Sequence, residues 1–339
     1  MSQETVFGTG KLPLDYMQTL LSHYGSHDPR LIAGPRVGED VAVIDMGDRY
    51  MVVKTDPITF ASDQIGWYAV HVNANDIATS GARPLWMLAT LMLPETKTTP
   101  ALVESILGQL RDACDELDVV LVGGHTEVTW GLDRAIVTGV MIGEVAKDRL
   151  ITTAGARTGD RVYLVKGMPI EATAIIAHER GDDLLARGYD AELIARAKGY
   201  LYDPGISVVG VARLGAECPG VHAMHDPTEG GVATALHELA VASGNGLLAY
   251  EERMPILPEG RQLCEAYGLD PLGAIASGAL LVAAAPEGGQ MLEDVYREAG
   301  VPCAHIADLV ERERGIMLRS GQVVRPLPRF DADQITQIF

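Results

Sequence analysis

Cysteine is scarce and scattered in this sequence: Cys114, Cys218, Cys264 and Cys303 are the four among 339 residues, and they form no CxxC pair. Such usage reads as reduced, buried thiols in a cytosolic protein rather than a disulfide framework. Long apolar runs are missing as well. The longest, such as Ala279 to Ala285, fall far short of the roughly 20 residues that a membrane helix requires, and the opening MSQETVFGTG carries no apolar signal segment. The sequence is therefore expected to be cytoplasmic and without a membrane span. Basic residues are outnumbered, 27 Lys and Arg against 46 Asp and Glu, for a formal net charge of −19. That balance repels nucleic acid and anionic lipid, so neither is an expected partner. An acidic protein can still accept a triphosphate if carboxylates hold metal ions that reverse the local field.

Apolar residues make up 47% of the chain, enough for a core in each of about two domains at roughly 100–200 residues apiece. Strand-like runs at 41–44, 50–55, 85–91, 119–122 and 136–142 alternate with helical stretches. The spacing of Leu102, Ile106, Leu110, Ala113 and Leu117 predicts an amphipathic helix over 101–117. Another helix, over 65–80, is unusually polar within, carrying Asn73, Asn75 and Asp76. Small turn-forming residues at 152–160 put a boundary near 155, which divides 1–155 from 156–339. The second half repeats the alternation, with helices near 171–179, 191–199, 205–214 and 232–243. Its strands lie near 161–165, 247–250, 279–285 and 305–309, and a short polar tail follows. This mixed order argues an α/β or α+β fold for both halves.

Four aspartates stand where packing alone would not choose them. Asp40 precedes a strand, Asp56 ends one, Asp76 interrupts a helix with an apolar face, and Asp226 comes immediately before a helix. Mg²⁺ takes oxygen ligands, and three or four such carboxylates at strand ends and a helix face could cage it. Singly, Asp40, Asp56 and Asp226 read as turn or cap residues. Asp76 does not, because a mid-helix aspartate costs propensity and desolvation unless it has a partner. Two glycine clusters, Gly123-Gly124 after a strand and Gly230-Gly231 at a helix start, would let backbone N–H groups approach phosphate; tight turns use the same residues. Gly8-Thr-Gly-Lys11 lacks the spacing of a P-loop, which excludes that fold. Lys11 is left either to reach a phosphate or to sit in solvent before a helix over 14–24.

In order along the chain, Gly38-Glu-Asp-Val-Ala-Val43, Thr55-Asp56, Asn75-Asp-Ile-Ala-Thr-Ser-Gly-Ala82, Gly123-Gly-His-Thr126 and Asp226-Pro-Thr-Glu-Gly-Gly-Val-Ala233 resemble one superfamily. It comprises aminoimidazole ribotide (AIR) synthase, thiamine-monophosphate kinase, selenophosphate synthetase and the hydrogenase-maturation dehydratase HypE. The Asp226 block and Gly268-Leu-Asp-Pro-Leu272 look most like HypE. The resemblance implies that Asp40, Asp56, Asp76 and Asp226 match Mg²⁺-ligating aspartates. It also implies that nucleotide contacts come from Thr55, Asn75, Gly123, Gly124, Thr126, Gly230 and Gly231, with Lys11, His125 and Glu127 as candidate catalytic residues. The implied fold is an N-terminal sheet that pairs with its twin in a homodimer to form a barrel, followed by a C-terminal α/β domain.

The implied chemistry is phosphoryl transfer from ATP to an amide or carbonyl oxygen of a small molecule or protein-bound group, with a maturation protein as a further expected partner. The alternatives are a small-molecule kinase of the thiamine-monophosphate type and a non-catalytic nucleotide-binding maturation partner. Three departures matter. HypE proteins end in a cysteine that carries the substrate carbamoyl group, whereas this sequence finishes Gln334-Ile-Thr-Gln-Ile-Phe339, so that self-modifying form of the reaction is not expected if the chain ends there. His125 and Ser277 stand where the thiamine-phosphate kinases have aspartate and HypE has glutamate, respectively.

Overall fold

The computed structural model describes Phe7 and residues 12–24, 28–59, 61, 63–330 and 332–339. Two mixed sheets with helices packed against them account for most of these residues. The first sheet contains β1 (Leu31–Ala33), β2 (Ala42–Asp45), β3 (Arg49–Ile58), β4 (Arg83–Pro94), β5 (Val120–Thr129) and β6 (Ile136–Ala146), in the spatial order β1-β2-β3-β6-β4-β5. All neighbours are antiparallel except β4 and β5. Helices α1 (Leu14–Tyr24), α2 (Ile65–Thr79) and α3 (Pro100–Glu116) belong to the same half. The predicted stripe on α3 buries Ile106, Leu110 and Ala113, and Thr99 caps the helix by accepting from the Leu102 amide at 3.2 Å.

The second sheet holds β7 (Arg161–Val165), β8 (Val221–His225), β9 (Gly246–Tyr250), β10 (Leu280–Ala284), β11 (Cys303–Val310), β12 (Ile316–Ser320) and β13 (Val323–Pro326). Their spatial order is β13-β12-β9-β11-β7-β10-β8. The same half carries α4 (Ile170–Glu179), α5 (Gly181–Ala186), α6 (Ala191–Gly199), α7 (Val209–Ala216), α8 (Gly231–Ser243), α9 (Pro258–Tyr267) and α10 (Pro286–Glu298); α7, α8 and α10 pack on this sheet, whereas α4, α5, α6 and α9 pack on one another. The expected polar tail instead supplies β12, which pairs in parallel with β9, and β13 at the sheet edge.

Helix α2 sits deepest, with every residue except Trp67 buried. It reaches the sheet closely because β6 offers glycine at two facing positions. A Cβ at Gly139 would lie 2.5 Å from Asn73 Nδ2, and one at Gly143 would lie 2.5 Å from Ile77 Cγ2. A helix buried on all sides cannot leave its polar side chains to water, so each needs a partner inside the protein. Asn75 finds one in the C-terminal half: its Nδ2 donates to the Ile206 carbonyl at 2.8 Å and its Oδ1 accepts from the Val208 amide at 2.7 Å. Helix α7 starts at Val209 and not at the expected 205, which instead ends a separate helical turn over Leu201–Gly205. Asn75 thus ties the halves together with both ends of its amide engaged. This places it as a clasp between backbone segments rather than as a group open to nucleotide.

Candidate functional site

Strand alternation puts Lys54 and Asp56 on one face of β3, turned toward Asp76 on α2. The Lys54 ammonium lies 3.3 Å from Asp56 Oδ2 and 3.2 Å from Asp76 Oδ2. Asn73, three residues before Asp76, grips the main chain of Asp56. Its Oδ1 accepts from the Asp56 amide at 2.8 Å, and its Nδ2 donates to the Asp56 carbonyl at 3.2 Å. Asp40 arrives on the loop before β2, while His225 and Asp226 arrive at the end of β8 from the other half of the chain. His225 Nδ1 is 2.6 Å from Asp40 Oδ2, and its Nε2 is 3.0 Å from Glu238 Oε2 on α8. Oxygens of Asp40 and Asp226 and a nitrogen of His225 all lie within 4.8 Å of one another.

Charge defines this cluster. Burial works against the Lys54 ammonium, but Asp76, Asp56, Asp40 and Asp226 together hold its pKa well above the ordinary lysine value. All four aspartates singled out in the sequence therefore act on one cation. Burial drives Asp76 well above the usual carboxylate range against the pull of Lys54. Burial first and then Asp40 push Asp226 up to about 6. His225 is also buried, yet Asp40 and Glu238 raise it well above the ordinary histidine value. With both ring N–H groups spent on carboxylates, an imidazolium has no lone pair for a metal, so His225 orients Asp40 rather than ligating.

Asp40, Asp56, Asp76, Asp226 and Glu238 face Lys54 and His225, so full ionisation leaves three negative charges uncompensated among these seven side chains. Both carboxylate oxygens of Asp226 are buried without a hydrogen-bond partner. Orphaned buried oxygens beside an excess of negative charge suit a hard divalent cation, which takes oxygen ligands and supplies the missing charge.

The remaining predicted residues lie elsewhere. Gly123, Gly124, His125, Thr126 and Glu127 form no turn after a strand; they are the exposed middle of β5, at the edge of the sheet. Gly124 is there because a Cβ would be driven into the Ala89 carbonyl of β4. Pairing links Asp56 to Gly139, Gly139 to Ala89 and Ala89 to Gly124. Three strand spacings, about 14 Å, thus separate this segment from the aspartate cluster within one chain. His125 Nε2 lies 3.1 Å from Glu127 Oε2 in an exposed pair. Thr55 is exposed, and its hydroxyl donates to the Gly139 carbonyl at 2.8 Å. Gly230 and Gly231 do open α8, but the Gly230 amide donates to Asp333 Oδ2 at 2.7 Å and the Gly231 amide to the Thr228 carbonyl at 3.0 Å. Lys11 lies outside the described residues.

Lys54, Asn73, His225 and Glu238 are part of the cluster but were not singled out by sequence reasoning. Lys54 and His225 each directly precede a quoted motif and Asn73 stands in the polar helix already noted, so the alternation of β3 and the polar positions of α2 were the available signals. Beside Gly230 opens a cavity of about 390 Å³, lined by Thr234, His237, Arg329, Phe330 and Asp333. That volume is within the range of small-molecule sites.

Residues 38–145 match the family model of the AIR synthase related protein N-terminal domain, and residues 157–318 match that of its C-terminal domain. Carbamoyl dehydratase HypE of Cupriavidus necator is 34% identical over 293 residues, covering 82% of this chain and 79% of that protein. A structure of E. coli HypE, described as a hydrogenase maturation protein, superposes with a TM-score of 0.73 at 25% identity, over 94% of this chain and 97% of that one. A structure of hydrogenase maturation protein HypE in complex with ATP shares the fold at a TM-score of 0.70 and 24% identity, over 97% of this chain and 100% of that one.

The raised carboxyl of Asp226 sets a pH signature. A folded-state pKa of about 6 exceeds the ordinary 3.8, so the metal-free fold binds this proton more tightly than the unfolded chain does. Its contribution to stability is present at acid pH and is lost as pH rises through about 6. Above that pH a divalent cation has a full carboxylate to neutralise. Thermal melts with and without Mg²⁺ should therefore show a larger metal-induced rise in Tm at pH 7.5 than at pH 5; an equal rise at both contradicts cation binding at Asp226.

Proposed function

The chain belongs to the AIR synthase related protein family, and on that premise we propose that it is a Mg²⁺-dependent enzyme that transfers the terminal phosphoryl group of ATP to an amide or carbonyl oxygen. The observation that carries this reading is the convergence of Asp40, Asp56, Asp76 and Asp226, from both halves of the chain, on the single ammonium of Lys54. Similarity to carbamoyl dehydratase HypE supports an acceptor of the amide type and a place in hydrogenase maturation. In this reading 1–155 and 156–339 are the two working units, and the nucleotide lies between them.

The four aspartates would hold Mg²⁺, which when bound offsets charge on the phosphates and on the group being transferred. Asn73 fixes Asp56 through its main chain, and the His225–Glu238 pair fixes Asp40, so the carboxylates meet their ligand without reorganising. Lys54, already among them, remains as a charged donor for a phosphate oxygen. The cavity beside Gly230 has the size for a nucleoside. Phosphorylating the acceptor oxygen forms one O–P bond while the bond between the terminal phosphorus and its bridging oxygen breaks and ADP leaves. The acceptor oxygen is then a good leaving group.

A homodimer accompanies this reading. Val120, Val122 and Val128 on the edge strand β5 are exposed, and Trp130 just after it is 82% exposed. An unpaired apolar edge is a template for another strand, and a second copy would cover it while bringing the His125–Glu127 segment against a neighbouring chain. Light scattering should give twice the chain mass of 36.2 kDa and a single-chain mass for Val122→Lys/Val128→Lys; a wild-type monomer at micromolar concentration contradicts the pairing.

Calorimetric titration tests the nucleotide directly. Mg-ATP should bind, and at 100 times its Kd it should add about 2.7 kcal/mol of stability. Asp76→Asn should weaken binding at least tenfold, roughly 1.4 kcal/mol. Absence of Mg-ATP binding to the wild-type chain removes the proposal. With the acceptor in hand, a stable phosphoester as product would favour the kinase alternative, and free phosphate the activation reaction.

A further inference from the structure

Strand alternation gives the second sheet two unlike faces. Leu247 and Ala249 of β9 and Leu318 of β12 pack inward with Val232, Leu236 and Leu239 of α8. Tyr250, Met317 and Arg319 therefore point the opposite way, and the pairing of Arg319 with Tyr250 sets those two side by side. Helices α7 and α10 cover the far end of this outer face, over Val165 of β7 and Leu280 and Val282 of β10. Around β9 and β11 the same face carries a polar network instead. The Asp308 carboxylate accepts from the Tyr250 hydroxyl and, at 2.7 Å, from His305 Nε2. With its proton on Nε2, the imidazole turns the Nδ1 lone pair to Arg253, which donates from Nη1 at 3.1 Å. The Arg253 guanidinium also lies over the Tyr250 ring, 4.2 Å from its centre, and Arg319 lies over the same ring at 5.3 Å.

Two guanidiniums thus share one aromatic ring, and the acids around them are engaged elsewhere. Asp308 serves Tyr250 and His305, Glu251 pairs with Arg325 at 3.4 Å, and Glu252 accepts from the Gly321 amide. Among the described residues neither Arg253 nor Arg319 forms an ion pair with a carboxylate. The local sequence carries the same bias: residues 314–330, which make β12 and β13, hold four arginines and no Asp or Glu in a chain of net charge −19. We infer that this face docks an extended acidic segment of a partner protein, its carboxylates taken by Arg253 and Arg319 and its aliphatic parts laid along Met317 and Val324. Val324 pairs with Arg319 and so shares the face, and it is 49% exposed. A protein segment suits the surface better than a free anion does. The two cations stand on open sheet, where a small ion would stay hydrated, whereas a chain spans both and covers their apolar neighbours. Arg and Tyr are also the side chains that carry most of the energy at such contacts. Because a ring and an imidazole already fix Arg253, little side-chain freedom is lost on binding. None of these residues belongs to the Lys54 cluster, and the docking needs no nucleotide.

A fluorescein-labelled hexaglutamate peptide is a stringent probe, because the net charge of the chain opposes its approach. Its fluorescence anisotropy should rise on adding the full chain at low salt, and the affinity should fall steeply as salt is added. Arg253→Gln/Arg319→Gln should weaken binding at least tenfold. Arg111→Gln/Arg297→Gln, which removes the same charge from α3 and α10, should bind within about twofold of wild type. His305→Phe leaves the formal charge unchanged and should still weaken binding about threefold, because Arg253 loses the lone pair that holds it. Arg253 and Arg319 are exposed, so the double variant should fold, which a thermal melt checks. No binding to the wild-type chain, an equal loss in the α3 and α10 control, or undiminished binding in Arg253→Gln/Arg319→Gln would overturn the assignment. Tripolyphosphate bound at these two arginines without any binding of hexaglutamate would also overturn it, in favour of a small-anion site.

Discussion

Negative charge held in a small buried volume is the constraint around which this protein is organised. Five carboxylates meet two cationic side chains at the junction of the halves, and one of those carboxylates, Asp226, has both oxygens buried without a hydrogen-bond partner. A fold selected only for stability would replace such a group or pair it, since breaking a buried charge balance costs several kcal/mol. Lys54 restrains the repulsion but cannot abolish it, because one ammonium serves four aspartates. The arrangement is coherent as half of a complex whose other half is cationic.

The rest of the architecture delivers those charges. Glycines 139 and 143 let α2 settle onto β6, and that approach brings Asp76 to Lys54 and Asn73 to the backbone of Asp56. Asn75, on the same helix, reaches the opposite way and clasps 206–208. The far half answers with β8, whose last residue His225 holds Asp40 in an ion pair that crosses from one half to the other. Closure between the halves and assembly of the site are thus one event, because the same few side chains do both.

Much of this was legible in the sequence, and what was missed has a physical reason. Asp76 stood out because a mid-helix aspartate goes against local preference, whereas Asp40, Asp56 and Asp226 each fit a turn or cap and were legible only as members of an ordered set. The amphipathic stripe of α3 and the apolar run of β7 announced their elements directly. Gly123-Gly124 misled, because glycine marks a turn and a close strand contact with the same letter; only pairing with Ala89 distinguishes them. Lys54 and Glu238 were passed over because a lysine in a strand and a glutamate in a helix ordinarily face water, and nothing local reveals that these are enclosed. The strands β12 and β13 were invisible as a polar tail, since the pairing of β12 with β9 and of β13 with β12 is a tertiary fact.

The central claim, that the aspartates exist to hold a divalent cation which the Lys54 ammonium partly replaces, is open to direct sight. Crystals grown with Mn²⁺ and a non-hydrolysable ATP analogue should show anomalous density among Asp40, Asp56, Asp76 and Asp226, with the Lys54 ammonium shifted from its seat between Asp56 and Asp76 toward a phosphate. Manganese density confined to other surfaces, with Lys54 still bridging the two carboxylates beside a bound nucleotide, would contradict the account.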